Sequence, residues 1–539
     1  MSRAHVKAWP AIALLLFGDA ALAQQAPPEP KLIVAISVDQ LSADLFAQYR
    51  NHFSGGFARL LSGAVFPSAY QSHAATETCP GHSTILTGMR PANTGIIANK
   101  WVDQSAGRPD KMIYCAEDER VPGSSSSNYT PSARHLRVPT LGARMKRATP
   151  ATVSVSVAGK DRAAIMMGGH DVDQIWWWGG KSFVSYAGHS EPTAVRRANV
   201  AVRAKIARPQ KALAMPKHCE QLDRPIRIGE IVVGQGRFER EADNAYQFLA
   251  SPASDAAVFD LAASLISDMR LGKGSATDVI AIGASATDYV GHGTGTQGTE
   301  MCIQLDRLDR TLGAFFARLD RMGLDYQVML TADHGAHDMT ERQQQRAMPM
   351  EVRATPDMSV DAIDKEITAQ LKLPGRALHT VDTDIYIDAT LSPADRARVE
   401  AAALNYFRAL PQVETVLTRA EIAATPMPSG PPETWTLLER ARASFDAQRS
   451  GDLLLMFRPR VTPIAKPEWG YVEGHGSPWD YDRRVPLFFW RRGKTGFEQP
   501  LSVDTVDILP TLAAGIGLAI DRVDGRCLDL DPGPADTCP

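Results

Sequence analysis

The chain has 539 residues, 44% of them hydrophobic and 22% charged, and a net charge of −3. That balance suits a globular protein and excludes both the basic footprint of a nucleic-acid binder and an acidic tail. Length alone allows roughly two to four domains, although α/β enzymes also run long as one unit.

Arg3 and Lys7 precede an apolar run at residues 11–17 and an Ala21-Leu22-Ala23 site of the kind cleaved after export, so residues 1–23 read as a secretory signal. A membrane anchor needs about 20 apolar residues, and Asp19 closes a shorter run. Residues 24–539 are therefore expected to form an exported unit, periplasmic or secreted, with no membrane anchor. In an oxidising compartment Cys79, Cys115, Cys219, Cys302, Cys527 and Cys538 would pair. Spacing does not choose the pairs, beyond suggesting a local link between Cys527 and Cys538 across a Pro/Gly-rich tail. None has the Cys-x-x-Cys spacing of a zinc finger.

Along the chain, short aliphatic runs end in polar residues. Residues 32–38 lead into Asp39, 153–157 into Lys160 and Arg162, 279–282 into Ser285 and Asp288, and 328–330 into Asp333 and His334. Continuous apolar runs of this length are strands buried on both faces, and helical patterns at 256–269 and 301–322 separate them. The fold class read from this alternation is α/β: a doubly wound, mostly parallel sheet with helices on both faces. Two stretches look inserted. Residues 104–137, rich in Ser, Gly and charge, read as a surface excursion, and about 340–450 as a small α+β cap.

In such sheets ligands lie beyond the carboxyl ends of the strands, which is where Asp39, Asp288, His292, Asp333 and His334 fall. With His475, flanked by Gly474 and Gly476, they have the composition of two zinc sites. Asp288 and His292 stand four apart, and Gly291, Gly293 and Gly295 suggest a flexible loop there. Pro80 and Gly88 bracket a helix at 80–87 with Thr78 at its N-terminal lip, where N–H groups favour anions. Thr78 is either a helix cap or a nucleophile activated by a metal, and the neighbouring ligand set favours the nucleophile. Lys160, Arg162 and Asn99 are candidates for phosphoryl oxygens, Arg through two parallel hydrogen bonds and Lys as a point charge. His82 is expected inside the helix and hydrogen-bonded. His337, His170 and His189 keep structural readings.

Ser37-Val38-Asp39-Gln40, Thr76-Glu77-Thr78-Cys79-Pro80-Gly81-His82, the segment 95–101, Lys160-Asp161-Arg162, Asp288-x-x-x-His292, Ala332-Asp333-His334-Gly335 and Gly474-His475-Gly476 occur in this order. In them the chain resembles the alkaline phosphatase superfamily, in its nucleotide pyrophosphatase/phosphodiesterase-like branch and near the PafA- and PhoK-like bacterial alkaline phosphatases. The resemblance implies two zinc ions, one held by Asp288, His292 and His475, the other by Asp39, Asp333 and His334 with Thr78. It implies Thr78 as the residue that becomes phosphorylated, and Asn99, Lys160 and Arg162 as binders of the phosphoryl oxygens.

The reading that follows is a secreted zinc-dependent alkaline phosphatase acting on small-molecule phosphate monoesters through a phosphothreonine intermediate, with no nucleic acid as a dedicated partner. Lys160 and Arg162 suit a dianion, which rewards extra cations. A phosphodiesterase or nucleotide pyrophosphatase is the rival enzyme, and a non-catalytic phosphate-binding metalloprotein the rival of another class. Trp176-Trp177-Trp178 is either core packing or a wall for the leaving group.

Overall fold

The computed structural model describes Met1, residues 29–534 and residues 536–538, so the expected signal at 1–23 lies outside the described residues apart from Met1. Strands Ser154–Ala158, Asp278–Ala284, Leu32–Val38 and Tyr326–Thr331 lie side by side in that order, all parallel. Every residue of the four is buried, as strands covered on both faces require. Each fully buried Leu or Ile there contributes about 1.5–3 kcal/mol.

Strand Gln174–Trp178 continues the parallel part beyond Ser154–Ala158. On the opposite side Arg484–Arg491 pairs antiparallel with Tyr326–Thr331, and Ala64–Tyr70 antiparallel with Arg484–Arg491. The result, among the described residues, is a mixed ten-stranded sheet. The antiparallel strands escape a sequence reading because Pro486 and Pro67 interrupt them. Proline cannot donate to a ladder, and the register slips at Pro486, between Val485 and Leu487.

Helices Pro252–Asp268 and Thr299–Arg321 pack on one face of the sheet, and Asp161–Gly168 on the other. Ser251 caps the first through its side chain, with Pro252 at the opening position. The second buries Leu305, Leu308, Leu312, Phe316 and Leu319, a stripe at helical spacing. Alternation along Gln174–Trp178 sends Trp176 and Trp178 into one core and Trp177 into the other. All three tryptophans are buried; the run is packing on both faces of one strand.

The stretch read as a cap contains a second sheet, ordered Leu378–Val381, Asp384–Ile387, Leu453–Phe457, Val413–Thr418. Helices Val360–Leu371 and Pro393–Ala409 share with it a separate core that includes Ile363, Phe407 and Leu453. The stretch 104–137 differs from a plain surface excursion. Its strand Met112–Tyr114 pairs with Lys100–Val102, and Tyr114, Cys115, Ala116 and Glu117 are buried. Hydrogen bonds decide this: Glu117 accepts from Arg108 at 2.6 and 2.8 Å, and Asp161 accepts from the Tyr114 and Tyr129 hydroxyls at 2.8 and 2.6 Å.

Among the described residues no helix is long and apolar enough to cross a membrane. Disulfides join Cys79 to Cys115, Cys219 to Cys302 and Cys527 to Cys538. The Cys219–Cys302 bond spans 83 residues, and closing a loop of that size restricts the unfolded chain by about 4 kcal/mol. Replacing both cysteines by serine should lower stability by about 2–5 kcal/mol, read from denaturant unfolding, with a steeper slope because the unfolded chain is freer to expand.

Candidate active site

Because the four central strands are parallel, their carboxyl ends share one edge of the sheet. Asp39 directly follows Leu32–Val38, Lys160 stands just past Ser154–Ala158, and Asp333-His334 just past Tyr326–Thr331. Asp288 lies in the first turn of helix Ala286–Thr294, which follows Asp278–Ala284, and His292 lies in its last turn. The loop expected there is thus a helix, and four-residue spacing puts both side chains on one face. The glycines serve close approach: a Cβ on Gly291 would overlap Gln40 Oε1. Thr78 is the first residue of helix Thr78–Ile85, slightly earlier than the proline-based expectation, with Pro80 accommodated in its first turn.

Asp39, Asp288, Asp333 and His334 are each at most 2% exposed. Three imidazoles share one arrangement. His292 Nδ1 donates to the Glu473 carbonyl at 2.7 Å, His475 Nδ1 to that of Thr76 at 2.8 Å, and His334 Nδ1 to that of Gly335 at 3.0 Å. A carbonyl only accepts, so each Nδ1 carries a proton, and in the neutral imidazole that binds a metal each Nε2 then presents a lone pair. Those lone pairs meet carboxylates: His292 and His475 Nε2 are 3.3 and 3.4 Å from Asp288 Oδ1, and His334 Nε2 is 3.4 Å from Asp39 Oδ1 and 3.3 Å from Asp333 Oδ2. Asp39 Oδ1, Asp288 Oδ1, Asp333 Oδ2 and His334 Nε2 are buried without a hydrogen-bond partner. Buried acceptors facing acceptors fit metal ions between them. Ligand atoms of Asp39, Asp333 and His334 lie within 4.8 Å of one another, as do those of Asp288, His334 and His475.

Lys160 Nζ is 2.6 Å from Asp39 Oδ2 and 2.5 Å from Asp288 Oδ2, joining the two groups. Burial works against its charged form, yet Asp288 and then Asp39 outweigh it and hold the ammonium above its usual range. Burial, and next the adjoining Asp333, push the Asp39 carboxyl up. Arg162 reaches the nucleophile candidate, its NH2 at 3.5 Å from Thr78 Oγ1. Asn99 Oδ1 accepts from the Cys79 N–H at 2.8 Å, which turns the amide nitrogen to the other side. Thr78, Asn99, Arg162, His292 and His475 line one cavity of about 650 Å³ whose far wall belongs to the second sheet. None of the three tryptophans lines it.

His82 is buried, its Nδ1 2.9 Å from the Thr78 carbonyl and 3.1 Å from Asp333 Oδ2, so it holds the helix of Thr78 beside that carboxylate. His337 borders the cavity and is 3.1 Å from Thr462 Oγ1. His170 and His189 stand elsewhere, the first on the Leu136 carbonyl and the second against Tyr186. Two residues inside the motifs escaped a role at the sequence level. Glu77 accepts from the Asn99 N–H at 2.7 Å, its carboxyl pushed up to about 8 by burial and then by Asp382. Gln40 has a left-handed backbone, φ 67°; its N–H donates to Asp333 Oδ1 at 3.1 Å and its amide to Glu473 Oε2 at 3.4 Å. Gln40 follows Asp39 directly, and that adjacency was its only signal.

A Cβ on Gly81 would fall on the Asp333 carbonyl oxygen, a backbone atom that cannot move aside. Gly81→Ala should therefore lower stability by about 1–3 kcal/mol despite alanine's better helix propensity, seen as a reduced melting temperature.

The family described as type I phosphodiesterase / nucleotide pyrophosphatase matches residues 33–479. The chain is 58% identical to the alkaline phosphatase PhoK of Sphingomonas sp., over 94% of this chain and 92% of that one. It is 46% identical to the alkaline phosphatase PhoD of Zymomonas mobilis, over 94% and 89%. The crystal structure of wild-type alkaline phosphatase PafA superposes with a TM-score of 0.80 at 26% identity, covering 93% of this chain and 99% of that one. With its parallel strands ending on one cluster of Asp and His, the chain belongs to the type I phosphodiesterase / nucleotide pyrophosphatase family.

Proposed function

We propose that the protein is an alkaline phosphatase that hydrolyses small-molecule phosphate monoesters, with Thr78 as nucleophile and two zinc ions as cofactors. Similarity to PhoK and PhoD supports the activity. The observation that carries the rest is the set of three Nε2 lone pairs and three buried carboxylates converging beside Thr78. Asp288, His292 and His475 would hold one ion, and Asp39, Asp333, His334 and Thr78 the other. The nitrogen-and-oxygen donor set suits zinc, and such ions supply Lewis-acid stabilisation of the charge on the phosphoryl group and on the entering and leaving oxygens.

The chain's own residues bind and orient. Arg162 and the Asn99 amide nitrogen donate to non-bridging oxygens, and Lys160 adds a point charge between the two carboxylate groups. These cations favour a monoester dianion over a diester monoanion. Thr78 Oγ attacks phosphorus, the bond to the leaving alcohol breaks, and a phosphothreonine results. Water then attacks the same phosphorus, releasing phosphate and restoring the hydroxyl. The Cys79 and Glu77 contacts fix Asn99 from both sides, so its amide is oriented before substrate arrives. Three disulfides suit an oxidising compartment, which together with the signal-like residues 1–23 supports a periplasmic or secreted location.

A phosphodiesterase is the second reading, favoured by the size of the cavity, which has space for a second ester group. The two are separated by kcat/KM of the zinc-loaded protein on p-nitrophenyl phosphate and on bis-p-nitrophenyl phosphate. A monoester preference is expected, abolished in Thr78→Ala and reduced about 10²–10³-fold in Arg162→Ala with little effect on the diester. A diester preference in the unaltered protein would reverse the assignment. Dialysis against a chelator should remove activity together with about two equivalents of zinc, and zinc should restore it; full activity in the metal-free protein would sink the two-ion reading.

A further inference from the structure

Behind helix Ala286–Thr294 lies a second cavity of about 240 Å³, separate from the one that Thr78 lines. Its wall carries four aromatic rings, Phe238, Tyr246, Tyr289 and Trp469, with Glu239 and Glu300, and among the described residues no lysine, arginine or histidine. Trp469 is 73% exposed and Tyr246 52%. A single exposed ring is ordinary, but aromatic faces gathered from four separate stretches of chain around one hollow mark a ligand surface.

The charge on that wall has one sign. Glu300 is 4% exposed. Its Oε1 accepts from the N–H groups of Gly234 and Gly236 at 2.9 and 2.8 Å, while its Oε2 is buried with no hydrogen-bond partner. The Arg342 guanidinium lies beside Gly298, on the same flank as Glu300 Oε2, but its hydrogen bonds go to Asp338 Oδ1 and the Thr294 carbonyl. Phe238 is held at φ 59°, a backbone conformation that bulky residues rarely adopt. Tyr289 already shows what its ring attracts, since Lys160 Nζ lies over it at 5.2 Å from the centroid.

Aromatic faces with a buried carboxylate, and no cationic side chain on the cavity wall among the described residues, match the chemistry of a methylated ammonium. Its diffuse charge is attracted to ring faces, and its methyl groups lose little on leaving water. We propose that this second cavity binds a small quaternary ammonium compound. The site goes beyond the phosphatase reading and does not depend on it.

The test is calorimetric titration of the zinc-loaded full chain, at constant ionic strength, with choline chloride and with 3,3-dimethylbutan-1-ol, its uncharged carbon isostere. Choline should bind at least about tenfold more tightly than the isostere. Trp469→Leu, which keeps apolar area but removes the ring, should weaken choline about fivefold or more, and Glu300→Gln should weaken it while leaving the isostere unchanged. Trp469 is exposed on a turn, so folding of its variant is checked by an unaltered melting temperature, with Trp469→Phe expected to restore binding. Equal affinities for the two probes would make the cavity a plain apolar cleft and overturn the proposal. Choline binding that survives Trp469→Leu would place the ligand elsewhere and also overturn it, as would no binding of choline.

Discussion

Three buried carboxylates, Asp39, Asp288 and Asp333, converge at one edge of the sheet, and their mutual repulsion is the constraint that organises the molecule. Isolated anions in a low-dielectric interior are strongly unfavourable unless cations accompany them. Lys160 supplies one such charge between Asp39 and Asp288. The three imidazoles, each with a proton fixed on Nδ1 by a backbone carbonyl, offer Nε2 lone pairs in their neutral form. That combination leaves a deficit of positive charge, which divalent ions would fill. The same centre then has a strong attraction for a dianion bound against those ions, so the feature that strains the folded chain is the one that serves the proposed chemistry.

Holding the carboxylates in place needs rigidity beneath them. The four parallel strands provide it, since every residue in them is buried and interlocked on both faces. Finer adjustment comes from close approaches. Gly81 lets the Thr78 helix lie on the Asp333 backbone, and Gly291 lets the Asp288 helix lie on Gln40. Gln40, in its left-handed conformation, then touches Asp333 through its backbone and Glu473 through its side chain. One residue therefore ties together elements that carry ligands of both proposed ions.

The excursion at 104–137 illustrates how a stretch with little hydrophobic pattern can support the site. Its tyrosines hold Asp161, the neighbour of both Lys160 and Arg162, and its Cys115 is bonded to Cys79, the neighbour of Thr78. The proposed nucleophile and the proposed phosphoryl-binding arginine are thus braced by one segment. Polar hydrogen bonds and a disulfide anchor it together with burial of scattered apolar residues such as Ile113, Ala116 and Leu136, and because these are not periodic, composition made it look like a loose surface loop.

The sequence by itself determined the central parallel strands, the residue types at their ends and the family, because continuous apolar runs and short ordered motifs are local properties. It also singled out Asp39, Asp288, Asp333, His334 and His475, which the fold brings together. Tertiary structure alone decided what is not local. Gln40 meets Asp333 across 293 residues, and no local pattern encodes such a meeting. The antiparallel strands at the sheet's side, broken by Pro67 and Pro486, exist because their neighbours offer hydrogen bonds. The helix at Asp288 forms although Gly291 and Gly293 within it weaken its propensity, and Gly291 there packs closely on Gln40. Trp176, Trp177 and Trp178 could be assigned to packing only once the strand's alternation and the position of the cavity were known. Residue chemistry is written along the chain, whereas distances, burial and the choice of partners arise only when distant segments close on one another.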